Sequence, residues 1–174
     1  MSKQLTHEEH TLTSKKFPLI ILTDNLMGDA NIGSLFRLAD AFNIEKIIFT
    51  GTPINIQSNR LKRTARGTYQ VVNFEHHEEA SEIILQLKQK EYKIYGLEIT
   101  SHSIPLGDAA FQNEDKIVLI LGNEKFGISE DVLNLTDTQI HIPMFGKNSS
   151  MNVSQAAGIA LYEITKTLPS FEEK

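Results

Sequence analysis

Three separate stretches of this sequence combine glycine with amide, hydroxyl and charged side chains. They are DNLMGDANIGSLFR at 24–37, LGNEKFGIS at 121–129 and IPMFGKNSSMNVSQAAGIALYE at 142–163. Glycine lets a backbone approach a ligand closely, and carboxylate, amide and hydroxyl groups can fix a polar ligand by hydrogen bonds. The three stretches are therefore the candidates for ligand binding and catalysis.

The first stretch has the glycine spacing of a phosphate-binding loop, but Ser34 follows Gly33 where such a loop has a lysine. Without that lysine the charge that grips a nucleotide phosphate is missing, so the interpretation as a phosphate-binding loop is disfavoured. The alternative is a strand-to-helix turn in which Asn31 caps the helix and Arg37 lies on a solvated face.

The second and third stretches also leave simpler interpretations open. LGNEKFGIS lacks the phosphate-loop lysine and does not match GxGxxG. It is either a ligand-binding loop that carries a carboxylate at Glu124 or a tight turn whose Glu124 faces water. In the third stretch, Ser150 or Asn152 could cap the long helix that follows. Each stretch taken singly is weak evidence for a site.

Apolar strands and amphipathic helices alternate along the chain, and these elements must position the three stretches. Strands are predicted at 18–23, 46–50, 69–74, 93–99, 116–121 and 138–142, and helices at 32–42, 58–66, 78–90, 129–133 and 152–167. The pattern predicts an α/β fold, a mainly parallel sheet with helices on both faces. Ligands of such sheets bind beyond the carboxyl ends of the strands, which selects the loops after Thr23, Ile99, Leu121 and Ile142.

Composition bounds the class of protein. The 174 residues suit one domain, expected at 17–174 after a short polar extension at 1–16. That extension lacks the apolar segment of a secretory signal, and no apolar run reaches the roughly 20 residues of a membrane span. The chain has no cysteine, which excludes disulfides and thiol catalysis. We therefore expect a cytoplasmic protein with no membrane segment.

The histidines show no pattern of metal ligands. HEEH at 7–10 is one residue short of the HExxH zinc motif. The histidines at 76, 77, 102 and 141 have no ligand spacing either. We expect no structural or catalytic metal.

Charge is distributed unevenly along the chain. The net charge is −5, from 17 basic and 22 acidic side chains, which argues against a general nucleic-acid coat protein. Residues 55–70 nevertheless contain four basic and no acidic side chains. This segment is predicted to form a short helix that carries Lys62, Arg63 and Arg66. The basic side chains of this helix either bind an RNA backbone or simply face solvent.

The ordered set NIG…R at 31–37, GNE…G at 122–127 and SMNVS…A at 150–157 resembles the three signature motifs of the SpoU branch of the SPOUT RNA methyltransferases. The resemblance spans about 17–168. It implies transfer of the methyl group of S-adenosylmethionine to a ribose 2′-hydroxyl of tRNA or rRNA. It also implies a homodimer and a carboxyl-terminal deep trefoil knot, although the general rarity of knots favours an unknotted sheet.

The resemblance also assigns roles to individual residues. It implies a cofactor pocket that includes Thr100, Gly122, Ile142 and Met151. The implied catalytic set is Asn31, Arg37, Glu124, Ser150 and Asn152. Because a guanidinium has no acceptor lone pair, Arg37 is expected to bind the phosphate beside the target ribose, and that phosphate or a water accepts the hydroxyl proton. Glu124 is expected to orient Arg37 or Asn31.

Lys62, Arg63 and Arg66 lie outside these motifs and suit docking of the RNA backbone. Because no added RNA-binding domain is recognisable, we expect a compact RNA target, with tRNA ahead of rRNA. Two other functions remain open. One is a SPOUT-fold RNA-binding protein that has lost catalysis, which the complete polar set disfavours. The other is a nucleotide-binding α/β regulator, which the missing loop lysines disfavour.

Overall fold

The computed structural model describes residues 3, 15–113, 115–168 and 171–172. The strands are β1 (Lys15–Asp24), β2 (Ile44–Thr50), β3 (Phe74–His77), β4 (Tyr92–Leu97), β5 (Ile104–Pro105), β6 (Lys116–Leu121), β7 (Thr138–His141) and β8 (Phe171–Glu172). The helices are α1 (Asp29–Ala41), α2 (Asn59–Ala65), α3 (Ala80–Gln89), α4 (Glu130–Leu133) and α5 (Val153–Thr165). Most of the predicted 1–16 extension lies outside the described residues.

The strands form one sheet in the order β3-β2-β1-β6-β4-β7-β5, with β8 paired to the start of β1. Every pairing is parallel except that of β1 with β8. Ile21 at the centre pairs with Ile47 of β2 and Leu119 of β6. The predicted α/β fold with a mainly parallel sheet is confirmed.

Both faces of the sheet are covered, and β1, β2 and β6 each contain a continuous apolar run. Leu19 and Ile21 belong to the core that the sheet forms with α1, α2 and α5. Ile20 and Leu22, which alternate with them, belong to a second core formed with α3 and α4. Strands buried on both faces read as continuous apolar runs, and this explains PLIIL in β1 and KIVLIL in β6.

The strand predicted at 69–74 is wrong. A short 3₁₀ turn occupies Thr68–Gln70, and the strand begins only at Phe74. The chain leaves α2 through two residues of positive φ, Arg66 at 49° and Gly67 at 90°. That turn leads Val71 into solvent, where it is 71% exposed, so its high strand propensity has no sheet to pair with.

Candidate active site

A cavity of about 370 Å³ opens beyond the carboxyl ends of β4, β6 and β7. Its walls comprise the ends of these strands, the loop after β6 and the segment that leads into α5. The apolar lining includes Leu97, Ile99, Leu121, Ile142, Met144 and Met151, and the polar lining includes Glu98, Glu124, Lys125, His141, Ser150 and Asn152. An apolar cavity of this volume with a few polar groups is typical of a small-molecule site.

Glu124 is the centre of a hydrogen-bond network at the edge of this cavity. Its Oε1 accepts from the backbone N–H of Gly28 at 2.7 Å and from Nδ2 of Asn31 at 3.0 Å. Its Oε2 accepts from the backbone N–H of Met27 at 3.3 Å. The carboxylate therefore ties the loop after β6 to the start of α1, which contains the first of the three motifs.

Asn31 continues the network to the third motif. Nδ2 of Asn31 donates to Glu124, so Oδ1 of Asn31 faces Asn152. This oxygen accepts a hydrogen bond of 2.9 Å from Nδ2 of Asn152. Oδ1 of Asn152 in turn accepts from the backbone N–H groups of Ser154 and Gln155, which caps α5. One residue from each stretch thus joins a single chain of hydrogen bonds, Glu124–Asn31–Asn152.

These contacts shift the ionisation of Glu124. Burial raises the pKa of the carboxyl group, but hydrogen bonds from Asn31 and from backbone N–H groups, including those of Met27 and Gly28, outweigh it. The net effect is a pKa below the ordinary value of 4.5. Glu124 is therefore a carboxylate at neutral pH and acts as an acceptor that orients Asn31.

The loop after β6 depends on glycine at two positions. Asn123 and Gly127 exchange backbone hydrogen bonds of 2.9 Å in both directions, and Gly127 has a φ of +69°, which favours glycine. A Cβ added at Gly122 would lie 2.2 Å from the carbonyl carbon of Gly127. The tight loop that presents Glu124 therefore has no room for a side chain at 122.

Three of the four predicted cofactor-pocket residues, Gly122, Ile142 and Met151, line the cavity. Thr100 does not. Its hydroxyl donates to Oε1 of Gln139 at 2.6 Å and accepts from the backbone N–H of His102. Thr100 thus stabilises the turn behind the cavity rather than the cavity wall.

Comparisons with known proteins identify the family of this chain. The SpoU rRNA Methylase family matches residues 18–162. The chain belongs to this family. The predicted family is confirmed, and the match covers α1, the loop after β6 and the start of α5, where the three motifs meet.

Relatives of this SpoU family member span most of its length. An uncharacterised tRNA/rRNA methyltransferase of Borreliella burgdorferi is 32% identical over 91% of the chain and 68% of the relative. A tRNA (guanosine(18)-2′-O)-methyltransferase of Aquifex aeolicus is 26% identical over 94% of the chain and 76% of the relative. The crystal structure of the SpoU methyltransferase AviRb of Streptomyces viridochromogenes, in complex with the cofactor AdoMet, has a TM-score of 0.76 at 25% identity. That match covers 84% of this chain and 56% of AviRb.

Arg37 lies away from the cavity of this SpoU chain. Six positions separate it from Asn31 on α1, so the two side chains leave the helix about 120° apart. Gly33, one turn before Arg37, abuts α2, where an added Cβ would lie 2.6 Å from the carbonyl oxygen of Leu61. Arg37 is exposed on the side of α1 that faces α2, and it has no hydrogen-bond or ion-pair partner among the described residues.

The helix that packs against α1 at Gly33 carries further basic residues, Lys62 and Arg63 within α2 and Arg66 at its end. Arg63 and Arg66 are exposed, and Lys62 is half-buried with its Nζ donating to Oε1 of Gln57 at 2.6 Å. Arg66 ends the helix in the left-handed conformation. Arg37 and these residues are solvent-accessible basic side chains on two helices that pack against each other at Gly33, and we call them the α1–α2 basic surface (Arg37, Lys62, Arg63 and Arg66).

The motif comparison missed several residues of the cavity, among them Glu98 and His141. Glu98, which directly follows β4, accepts a hydrogen bond of 3.1 Å from the backbone N–H of Ile128. Glu98 thus supports the end of the loop after β6 that contains Gly127. Its position at the end of a parallel strand was the available signal. In the described part of the chain, no three His, Asp or Glu side chains cluster as a metal site would require, and no helix is long and apolar enough to cross a membrane.

Proposed function

We propose that this chain transfers the methyl group of S-adenosylmethionine to a ribose 2′-hydroxyl of RNA. The observation that carries the proposal is the Glu124–Asn31–Asn152 chain of hydrogen bonds, which joins the first motif to the two motifs whose residues line the cavity. The predicted reaction class and cofactor are confirmed by the methylase family, by the ribose-methylating Aquifex relative and by the AdoMet complex of AviRb. A tRNA target, ahead of rRNA, stays our prediction and has the support of the Aquifex relative.

The cavity residues suit this cofactor. The volume of about 370 Å³ lies in the range of small-molecule sites. Gly122, Ile142 and Met151 would hold the cofactor by close backbone and apolar contacts. S-adenosylmethionine, when bound, supplies a methyl group on a positively charged sulfur. A carboxylate held against that sulfur would stabilise the ground state more than the transition state, and Glu124 is instead engaged by Asn31 and two backbone N–H groups.

The remaining polar groups would align the ribose. Methyl transfer is an in-line displacement, so holding the hydroxyl in line supplies much of the rate. Asn31 and Asn152 are fixed by their mutual hydrogen bond, and Ser150 lines the cavity next to them. Arg37 would bind the phosphate beside the target ribose, because its guanidinium is exposed, and that phosphate or a water would accept the proton.

The α1–α2 basic surface is the proposed entry for RNA. Residues 55–70 carry +4 within a chain of net charge −5, so the remainder carries −9. A polyanion is attracted to the positive region and repelled elsewhere. Since Arg37 belongs to this surface, an RNA strand lying on it would place a phosphate group at Arg37.

We also propose a homodimer built on α5. Ile159 and Tyr162, one turn apart on α5, are 44% and 61% exposed. They border a shallow depression that also includes Met151 and Gly158. Because Met151 lines the cavity as well, a partner on α5 would lie next to the cofactor site.

The remaining expectations are proposals too. A deep trefoil knot has support from the family and from the strand order, in which β6 is inserted between β1 and β4 while β7 pairs with the other edge of β4. A single domain at 17–174 has support from the one sheet shared by both cores, although β1 already starts at Lys15. The cytoplasmic location of the protein stays a prediction, as does the expectation that it uses no metal.

Two measurements test the proposed function. Calorimetric titration with S-adenosylmethionine should show binding, and ribose-methylation mapping of total RNA from a deletion strain should show one lost site relative to the parent strain. Failure to bind the cofactor at millimolar concentration would favour the catalytically inactive RNA-binding alternative. An unchanged methylation map would contradict RNA as the methyl acceptor.

A further inference from the structure

His141 is a cavity residue to which neither the three motifs nor the metal patterns assign a role. It is the last residue of β7, is half-buried and lines the cavity. One ring nitrogen, Nδ1, lies 3.0 Å from the hydroxyl oxygen of Ser103. The other nitrogen, Nε2, has no partner among the described residues. The imidazole ring is therefore held by Ser103 through Nδ1, and Nε2 remains available for a hydrogen bond to a ligand.

The contacts of Ser103 define which nitrogen of His141 carries the proton. The Ser103 hydroxyl accepts from the backbone N–H of Thr100 and donates its single hydrogen to the carbonyl oxygen of Thr100, both at 3.0 Å. All three contacts of the hydroxyl are satisfied together only if Nδ1 of His141 donates to it. In the neutral ring, Nε2 is then an acceptor with a free lone pair.

The turn that contains Ser103 is itself held against β7. The Thr100 hydroxyl donates to Oε1 of Gln139, which lies two residues before His141 on the same strand. Pro105 pairs with His141 across the β5–β7 ladder. Hydrogen bonds and strand pairing thus connect the turn to the strand that carries the imidazole, so the orientation of the ring is set before any ligand binds.

We propose that His141 is a further cofactor-contacting residue, whose Nε2 accepts a hydrogen bond from an N–H or O–H group of bound S-adenosylmethionine. This inference rests on the proposed function. The cofactor carries such donors on its adenine, its ribose and its α-ammonium group. Leu97, Ile99 and Ile142 make the surrounding wall apolar, and a hydrogen bond is worth more where water is excluded.

Calorimetric titration of the full chain with S-adenosylmethionine tests the contact. Loss of one hydrogen bond corresponds to a Kd increase of roughly 2- to 12-fold for a neutral donor, and more for the charged α-ammonium group, so His141→Leu should raise the Kd at least about twofold. His141→Gln, which keeps an acceptor of similar reach, should recover most of the affinity. His102→Leu is the matched control, because His102 is exposed in the same turn and does not line the cavity. It should bind like the parent protein.

Nitrogen NMR of the parent protein gives a test that needs no variant. The Nδ1–H form of His141 should be observed without ligand, and its Nε2 resonance should shift when S-adenosylmethionine is added. A cofactor affinity within twofold of the parent in His141→Leu, or an unchanged Nε2 resonance at saturation, would overturn the inference. Failure of the parent protein to bind the cofactor would instead overturn the proposed function, and this inference with it.

The same titration with 5′-methylthioadenosine, which lacks the α-ammonium group, locates the contact. If His141→Leu weakens both ligands, Nε2 contacts the adenosine part. If it weakens only S-adenosylmethionine, Nε2 contacts the α-ammonium group. Both results support the inference.

Discussion

Asn31 and Glu124 lie 93 positions apart in the sequence, yet Nδ2 of Asn31 donates to Oε1 of Glu124 at 3.0 Å. The carboxylate accepts and cannot donate, so this bond fixes which way the Asn31 amide faces. Its oxygen must then accept from Asn152, which caps α5. Glu124 therefore orients the side-chain amide of Asn31 and, through it, that of Asn152. This role requires the ionised carboxylate, which only accepts hydrogen bonds.

Glu124→Gln should weaken both folding and catalysis. The new amide N–H₂ would face the donors of Met27, Gly28 or Asn31, so at least one hydrogen bond is replaced by two opposed donors. We expect a loss of about 1 kcal/mol in the free energy of unfolding, below the usual range for a charged hydrogen bond because Glu124 is exposed, and a methylation rate reduced about tenfold. Urea denaturation and transfer of labelled methyl groups measure the two effects.

The control for that variant is Glu78→Gln, because Glu78 is an exposed carboxylate in the loop before α3. It should leave both quantities unchanged. If Glu124→Gln were as stable and as active as this control, the carboxylate would have no role in orienting Asn31.

The stabilising effect of Glu124 should depend on pH. The pKa of Glu124 lies below 4.5 in the folded chain, so its contribution to stability is complete above the unfolded pKa. That contribution is lost as pH falls through the lower folded pKa. The difference in free energy of unfolding between the parent protein and Glu124→Gln should be constant from about pH 6 to 8 and narrow below pH 4.5. A difference that widened on acidification would contradict the lowered pKa.

The sequence predicts the sheet and the meeting of the motifs because both follow from simple periodicities. Continuous apolar runs identify β1 and β6 as buried strands, and parallel strands place their carboxyl ends at one edge. The strand predicted at 69–74 failed because two residues of positive φ, Arg66 and Gly67, redirect the chain. Such a turn is a local backbone conformation that the propensity of Tyr69 or Val71 does not reveal.

Side-chain direction within the site was harder to predict than position. Thr100 lies on the expected loop, but its hydroxyl bonds to Gln139, which β4 and β7 bring near only through tertiary pairing. Asn31 and Arg37 belong to one motif but point to different sides of α1, because helix geometry separates their directions. Conversely His141, which has no motif, lines the cavity.

Arg37→Ala should strongly reduce the rate of methyl transfer and leave cofactor binding intact. Arg37 does not line the cavity, so the Kd for S-adenosylmethionine should change less than about twofold. Removing one donor that stabilises a transition state typically costs about 10²- to 10³-fold in rate. Single-turnover methylation and calorimetry separate the two quantities. Arg37→Lys is the charge-matched control and should recover part of the rate. Equal loss of rate and cofactor affinity would make Arg37 a structural residue.

Removing the charges of α2 should weaken RNA binding and flatten its salt dependence. Lys62 and Arg63 can be replaced by Ala. Arg66 should be replaced by Asn, which tolerates its left-handed φ of 49°. With about 0.7 units of slope per phosphate contact on single strands, the plot of log K against log salt for total tRNA should flatten by about 2 units. Replacing Lys88 of α3 and Lys90 directly after this helix by Ala is the control and should keep the parent slope. An unchanged slope in the α2 variant would place the RNA elsewhere.

Charge on the exposed face of α5 should prevent assembly. Ile159 and Tyr162 are apolar and exposed. Burying two carboxylates at an interface is strongly unfavourable. The double variant Ile159→Glu, Tyr162→Glu should therefore sediment as a monomer, whereas the parent chain should sediment as a dimer. Thr167→Glu, which adds a charge just beyond the end of the same helix, should leave the dimer intact. Because Met151 borders both α5 and the cavity, the monomeric variant should also bind S-adenosylmethionine more weakly. A parent chain that sediments as a monomer at tens of micromolar would contradict the proposed interface.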